Sequence, residues 1–172
     1  STAFDQITNS ATGGGFNISD ATLDLTGIFT PLGNRNINIV TTNATGTLTG
    51  NFASVIGLES KPRWSVNYIN GTAGKVQLIY FAEPTVTSLT SDGTIAITQG
   101  CAGSTLVIKG TDLSGATAVT VNGVAVASFV VTDSTTITAI LPASSTGAGV
   151  VAVTTPGGTG TSAGNFSAIT TT

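Results

Sequence analysis

The sequence contains no histidine, no methionine and one cysteine among its 172 residues. Without histidine, the chain lacks the side chain that most often serves as a general base and as a metal ligand. One cysteine can form neither an internal disulfide nor a Cys/His zinc motif. Charged residues are also scarce, at 8% against about a quarter in average soluble domains. We therefore expect no enzymatic activity, no cofactor and no metal site.

The low charge also limits the kinds of partner that the chain can bind. Five basic and eight acidic residues give a net charge of −3. No basic stripe is present to neutralise phosphates, so we expect no nucleic-acid partner. No window holds 18 consecutive apolar residues, and no basic segment leads into an apolar run, so we expect neither a membrane span nor a signal peptide. The hydrophobic content of 40% still supplies enough apolar surface for a folded core.

Apolar residues alternate with other residues along most of the chain. The alternation is clear in RWSVNY and GKVQLIY, and again in GSTLVIKG and AVTVNGVAV. A period of two is typical of half-buried β-strands, and turn signals such as Asn70-Gly71 and Asn122-Gly123 separate the segments. We find no convincing amphipathic helix. The sequence therefore predicts an all-β protein built as a sandwich, barrel or solenoid.

A change in core composition marks a domain boundary near Glu83-Pro84. The first half holds the one tryptophan, both tyrosines and most of the phenylalanines, whereas valine, isoleucine, leucine and alanine dominate the second half. Pro84 keeps the preceding residue extended and cannot donate to a strand ladder, which suits a link into an edge strand. We predict two tandem β domains, residues 1–82 and 83–172.

The second half resembles an IPT/TIG domain over residues 84–170. The segments that carry the resemblance are PTVTSLTSDG, GSTLVIKGTDLSGATAVTVNGVAV, SFVVTDSTTITAILP and GVVAVTTPGGTGTSAGNFSAI. The turn residues agree with the family, since Asn122-Gly123 is typical of a tight hairpin and Pro142 of a strand end. The resemblance implies an immunoglobulin-like β-sandwich of the kind found in bacterial surface proteins.

The first half resembles the closing segment of secreted bacterial β proteins of the autotransporter-repeat type. The segments that carry this resemblance are AFDQI, DATLDLTGIFTPLG, LTGNFASVIGL, RWSVNY and GKVQLIY. In such proteins the segment ends a stack of β-structure. Residues 1–82 are therefore interpreted as either a sandwich or a capped solenoid, and the compact sandwich is favoured.

No group of residues matches a catalytic or metal-binding motif. Serine and threonine hydroxyls have no histidine partner and no S-x-x-K context. A D-x-D-x-D-G calcium loop is absent, and Gly13-Gly14-Gly15 precedes Phe16 rather than a phosphate-binding G-K-[ST] run. The acids do not cluster in the sequence, and we interpret them as solvated or turn-capping residues.

The densest group of charges is Glu59, Lys61 and Arg63, just before Trp64. This group is either a recognition patch or an exposed loop, and the loop is favoured. The one cysteine, Cys101, could pair only with another chain, and we expect it to be free and buried. Its role stays open.

Several sites carry weak glycosylation patterns. Four asparagines begin an N-x-[ST] motif, and Asp133-Ser134-Thr135 resembles a short bacterial O-glycosylation motif. The candidate residues are Asn17, Asn43, Asn70, Asn165 and Ser134.

The composition predicts a chain that associates with copies of itself. Exposed strand edges are usually guarded by lysine, inward charges or proline, and this chain has few of these. We therefore predict an extracellular structural protein of the bacterial surface, whose identical subunits form a filament or sheath by inter-subunit strand pairing. Candidate interface residues are Phe4 and Ile7 near the N-terminus, and Phe166 and Ile169 near the C-terminus.

Two alternatives stay open. The chain could be an adhesion or carbohydrate-binding spacer module of a larger surface protein, with a polysaccharide or host-surface ligand. It could also be an accessory domain of a secreted carbohydrate-active enzyme. An exposed aromatic patch around Trp64 or Tyr68 would favour a binding module, but their alternation with Val66 favours a core role.

Overall fold

A computed structural model describes residues 7–9, 15–26, 32–144 and 146–170. The chain divides into two compact units, Ser1–Phe81 and Ala82–Thr172. Every regular element in the described ranges is a β-strand. The prediction of an all-β fold is therefore confirmed.

The described residues of the first unit form nine strands. They are β1 (Ile7–Asn9), β2 (Gly15–Asn17), β3 (Thr22–Asp24), β4 (Arg35–Thr42), β5 (Thr47–Thr49), β6 (Ser54–Ile56), β7 (Trp64–Ile69), β8 (Gly71–Thr72) and β9 (Lys75–Tyr80).

Strands β1 to β3 lie parallel on β4 to β6. Residues 7, 15 and 22 pair with residues 40, 47 and 54, respectively. The partners are 33 residues apart in the first pair and 32 in the other two. Strands β1 to β3 thus form one coil, and β4 to β6 form a second coil stacked on it. This pairing is that of a β-solenoid, whereas the strands of a sandwich run antiparallel. The sandwich favoured by the sequence is therefore not the arrangement that these strands form.

An antiparallel cap covers one end of the stacked coils. Strand β9 pairs with both β4 and β7, and β8 pairs with β5. The three sheets have the strand orders β1-β4-β9-β7, β2-β5-β8 and β3-β6. We call the first of these the long sheet, and the edges of β1, β2 and β3 the coil end. The best-buried apolar side chains of this unit include Ile18, Leu25, Leu48, Val76 and Leu78.

Ten strands lie in the part of the second unit that the structure describes. They are β10 (Thr85–Thr90), β11 (Gln99–Cys101), β12 (Thr105–Thr111), β13 (Ala118–Val121), β14 (Val124–Ala125), β15 (Ser128–Asp133), β16 (Thr136–Ile140), β17 (Val151–Thr155), β18 (Gly158–Thr161) and β19 (Ser167–Ile169).

Two four-stranded sheets of the second unit enclose one apolar core. Their strand orders are β10-β12-β16-β15 and β14-β13-β17-β18, and β11 and β19 form a separate parallel pair. The core contains Leu106, Ile108, Val121 and Phe166, each with 0% of its surface exposed. This is the immunoglobulin-like β-sandwich that the resemblance implied.

Cys101 is exposed in this structure, so the expectation that it is buried is wrong. Gln99 and Cys101 are both exposed, whereas Gly100 between them is partly buried and faces Leu141. Because side chains alternate along a strand, the inward position of β11 falls on the glycine. The thiol therefore faces solvent.

Candidate functional site

The candidate interface residues at the C-terminus lie within their own domain. Phe166 is fully buried in the core of the second unit. Ile169 ends β19, where it pairs with Cys101 of β11. An inter-subunit role for these two residues stays a prediction, and it would require β19 to leave its own core.

Of the two candidate residues near the N-terminus, the structure describes Ile7. Phe4 lies outside the described residues. Ile7 begins β1 and pairs with Val40 of β4. Strand β1 is therefore a terminal strand of the long sheet, and within the described part of the chain no strand lies on its other side.

The opposite edge of the long sheet is β7. The amide of Phe81 donates a 2.9 Å hydrogen bond to the carbonyl of Arg63, so these two residues form a hydrogen-bonded pair. Such pairs alternate along an antiparallel ladder. Ser65, Asn67 and Ile69 therefore bond to β9, and the residues between them direct their backbone groups away from the sheet. In the described ranges, no strand pairs with this edge.

Strand β7 lacks the residues that usually prevent strand pairing at a free edge. The strand reads WSVNYI and contains neither lysine, proline nor an acid. Asn67 is exposed, and Ile69 has 39% of its surface exposed. An uncharged edge of this length can accept another strand, because no charge or missing amide opposes pairing. The long sheet thus ends in two different edges, β1 and β7.

A cavity of about 250 Å³ lies beside the start of β7. Its lining residues are Ser60, Lys61, Pro62, Arg63, Trp64 and Tyr80. The rings of Trp64 and Tyr80 form one wall, with their centroids 5.0 Å apart and their planes inclined by 50°. Two turns shape the loop, since the amide of Lys61 bonds to the carbonyl of Leu58 and that of Trp64 to the carbonyl of Lys61.

A row of three residues crosses the long sheet next to this cavity. Tyr80 of β9 pairs with Arg35 of β4 on one side and with Trp64 of β7 on the other. Directly paired residues project on the same face of a sheet. Arg35, Lys61 and Arg63 are three of the five basic residues of the chain, so the fold gathers most of its positive charge at this end of the long sheet.

The sequence indicated only part of this site. Lys61, Arg63 and Trp64 are neighbours in the chain, and their cluster was visible. Tyr80 and Arg35 join it through the register of β4, β7 and β9, which local patterns do not specify. Trp64 is 7% exposed, so it has the core role that its alternation with Val66 favoured, while it also lines the cavity.

Acidic side chains in the turns bond to their own backbone. Asp92 accepts hydrogen bonds from the amide of Thr94 at 2.9 Å and from its hydroxyl at 2.8 Å. These bonds stabilise the carboxylate and hold the pKa of Asp92 below its usual value. Within the described ranges, no group of three or more acids or cysteines is placed to hold a metal ion.

Four of the five candidate glycosylation residues are exposed. They are Asn17, Asn70, Ser134 and Asn165. Asn43 is partly buried, and its side-chain oxygen accepts a 2.6 Å hydrogen bond from the amide of Gly46. Modification of any of the five stays a prediction.

The fold of the second unit defines an immunoglobulin-like domain. Residues 84–168 match the model of the IPT/TIG domain family. The second unit is therefore an IPT/TIG domain, and this part of the predicted resemblance is confirmed. No comparison confirms the resemblance of the first unit to autotransporter-repeat proteins.

Other comparisons add no functional information. No curated protein matches the chain. A solved structure described as a crystal structure with xylogluco-oligosaccharide aligns with 60% of this chain at 20% identity and a TM-score of 0.43. The aligned part is 28% of that protein's chain, and a likeness this low carries no argument about function. In the described ranges, we find no helix with the length and apolarity of a membrane crossing.

Proposed function

We propose that the chain is a non-enzymatic structural protein of the bacterial cell surface, whose copies join by β-strand pairing into a filament or sheath. The observation that carries this proposal is the long sheet, which has two different free edges in the described part of the chain. Strand β7 of one copy pairs with β1 of the next, so that the sheet continues from copy to copy.

The two edges differ, and this difference determines the kind of assembly. A contact between two different surfaces of identical subunits does not form a two-fold dimer, and it builds an open chain when the rotation between neighbouring copies does not close a ring. Pairing through the backbone supplies main-chain hydrogen bonds, while the alternating side chains set the register. The net charge of −3 adds little repulsion between copies.

Electron microscopy of the purified chain tests the proposal. Wild-type protein at high concentration should form regular fibres. Val66→Pro should prevent them, because it removes an outward-facing amide of β7, and Ile69→Lys should do the same by placing a charge at the edge. Ile95→Lys is the matched control, since Ile95 is 68% exposed but lies in no strand. Dispersed wild-type particles, or fibres that persist in both β7 variants, would refute the proposal.

A second candidate function is an adhesive or carbohydrate-binding spacer module of a larger surface protein. The cavity beside Trp64 favours this candidate, because it combines an aromatic wall with two basic side chains. Binding of the isolated chain to immobilised polysaccharides tests it. Retention on none of a panel of neutral and acidic polysaccharides would exclude the carbohydrate part of this candidate.

A further inference from the structure

We infer that the cavity beside Trp64 binds a carboxylate-bearing sugar of an acidic extracellular polysaccharide. The inference deepens the second candidate function and rests on it. It concerns only the first unit, in which all lining residues lie.

The charge of the lining residues favours an anion, because Glu59 of the same loop is not one of them. Lys61 and Arg63 line the cavity, and Arg35 belongs to the strand row beside it. The remaining two basic residues of the chain, Lys75 and Lys109, do not line it, and the chain as a whole is negative. A guanidinium and an ammonium group on one loop match a carboxylate, which arginine can bind through two parallel N–H···O bonds.

The aromatic wall selects a sugar over a simple anion. Trp64 and Tyr80 are 7% and 3% exposed, so only the apolar rim of these two packed rings reaches the cavity. The apolar C–H face of a pyranose ring can contact such a rim, whereas inorganic phosphate has no apolar face. The hydroxyl of Ser60 adds a group that can donate or accept a hydrogen bond with a sugar hydroxyl.

The size of the cavity fits a short part of a polymer. Pockets for drug-sized ligands span about 300–1,000 Å³, and this cavity has about 250 Å³. The volume of the cavity is therefore suited to one sugar residue. Its open mouth lets the neighbouring sugar residues of a polymer extend into solvent. A polyanion such as nucleic acid fits less well, because the basic residues form one small group rather than a stripe.

Intrinsic fluorescence provides a direct measurement, since Trp64 is the one tryptophan of the chain. The purified protein is titrated with an oligogalacturonate, with a cello-oligosaccharide of equal length and with inorganic phosphate, and each titration is repeated by calorimetry. We expect the oligogalacturonate alone to change the emission of Trp64 and to release heat. Its affinity should fall as ionic strength rises, because Lys61 and Arg63 are only partly buried and salt screens their charges.

Substitutions inside and outside the cavity test whether the oligogalacturonate binds there. Lys61→Gln combined with Arg63→Gln should weaken oligogalacturonate binding by about tenfold or more, the effect of losing a charge-assisted hydrogen bond. Lys75→Gln removes a basic residue of the same unit outside the cavity and should leave the affinity unchanged. Melting temperatures close to wild type show that each variant is folded.

Each other outcome contradicts the inference in a distinguishable way. Equal binding of the neutral oligosaccharide would overturn the acidic class while leaving the second candidate function intact. Binding of phosphate as tight as that of the oligogalacturonate would reduce the site to a simple anion site. Equal losses in the Lys75→Gln control would place the effect outside the cavity. No heat and no fluorescence change with any ligand would overturn the inference, and the polysaccharide panel then decides the second candidate function separately.

Discussion

The side-chain amide of Asn122 donates a 2.7 Å hydrogen bond to the carbonyl of Thr146. The same residue has a positive φ of 48°, and the following Gly123 has a φ of 77°. Asn122 thus does two things in the IPT/TIG domain. It forms the two-residue turn between β13 and β14, and it ties that hairpin to the loop before β17.

Two substitutions at Asn122 should separate these contributions. Asn122→Gly keeps a residue that adopts positive φ readily, so it loses mainly the hydrogen bond, at a cost of about 1 kcal/mol. Asn122→Ala loses the bond and also strains the turn, which adds about 1 kcal/mol or more. Thermal unfolding should therefore rank wild type above the glycine variant and that above the alanine variant. An alanine variant as stable as the glycine variant would show that the turn stores no strain.

The free edge of β7 predicts that two adjacent proline substitutions differ in stability. Val66→Pro removes an amide that faces away from the sheet, so the ladder with β9 remains and the melting temperature falls only slightly. Asn67→Pro removes an amide that bonds to β9 and leaves its acceptor unpaired, which costs about 1–3 kcal/mol. Circular dichroism melts of the two variants measure the difference. The reverse order of melting temperatures would show that the amide of Val66, and not that of Asn67, bonds to β9.

Removal of the Phe166 side chain tests whether the C-terminal strand belongs to its own domain. Phe166 has 0% of its surface exposed, so Phe166→Ala should lower the free energy of unfolding by about 3–5 kcal/mol. Asn165→Ala, at the exposed neighbouring position, serves as the control. Calorimetry should show the same loss at low and high protein concentration. A loss that grows on dilution would instead indicate that β19 inserts into another copy.

Acid should weaken the turns at Asp92 and Asp133. Hydrogen bonds from Thr94 lower the pKa of Asp92, and those from Thr135 lower the pKa of Asp133. A depressed pKa in the folded state gives stability that is complete above the unfolded pKa of about 3.9 and is lost as the pH falls through the folded value. The melting temperature should therefore fall between pH 5 and pH 2, and less steeply in a variant with Asp92→Asn and Asp133→Asn. Identical slopes would contradict the assignment.

The local features of the second unit follow directly from its sequence. The Asn-Gly pair forms the predicted hairpin, with Val121 paired to Val124, and β16 ends at Ile140, two residues before Pro142. Both outcomes depend on backbone preferences of the residues themselves, which act over two or three positions. The alternation of apolar residues likewise predicted which side chains are buried in β9, where Val76, Leu78 and Tyr80 face inward.

The partners of the strands were less predictable. Alternation shows that a strand has one buried face, but it does not show whether the neighbouring strand is parallel or antiparallel. Pairing of residue 7 with residue 40 joins positions 33 residues apart, and no turn signal connects them. For this reason, the stacked coils of the first unit were one of two alternatives in the sequence and not the favoured one.

The amino-acid sequence alone determined that this protein is all-β and predicted two differently composed cores. Both inferences depend on composition, on period-two alternation and on turn residues, all of which are local. The IPT/TIG domain was indicated by the resemblance of the second half to that family. Tertiary structure decided that the first unit stacks parallel coils, that β1 and β7 are the edges of the long sheet, that Cys101 is exposed and that Arg35 lies in one row with Tyr80 and Trp64. Each of these depends on strand register, which is set by the packing of residues far apart in the chain.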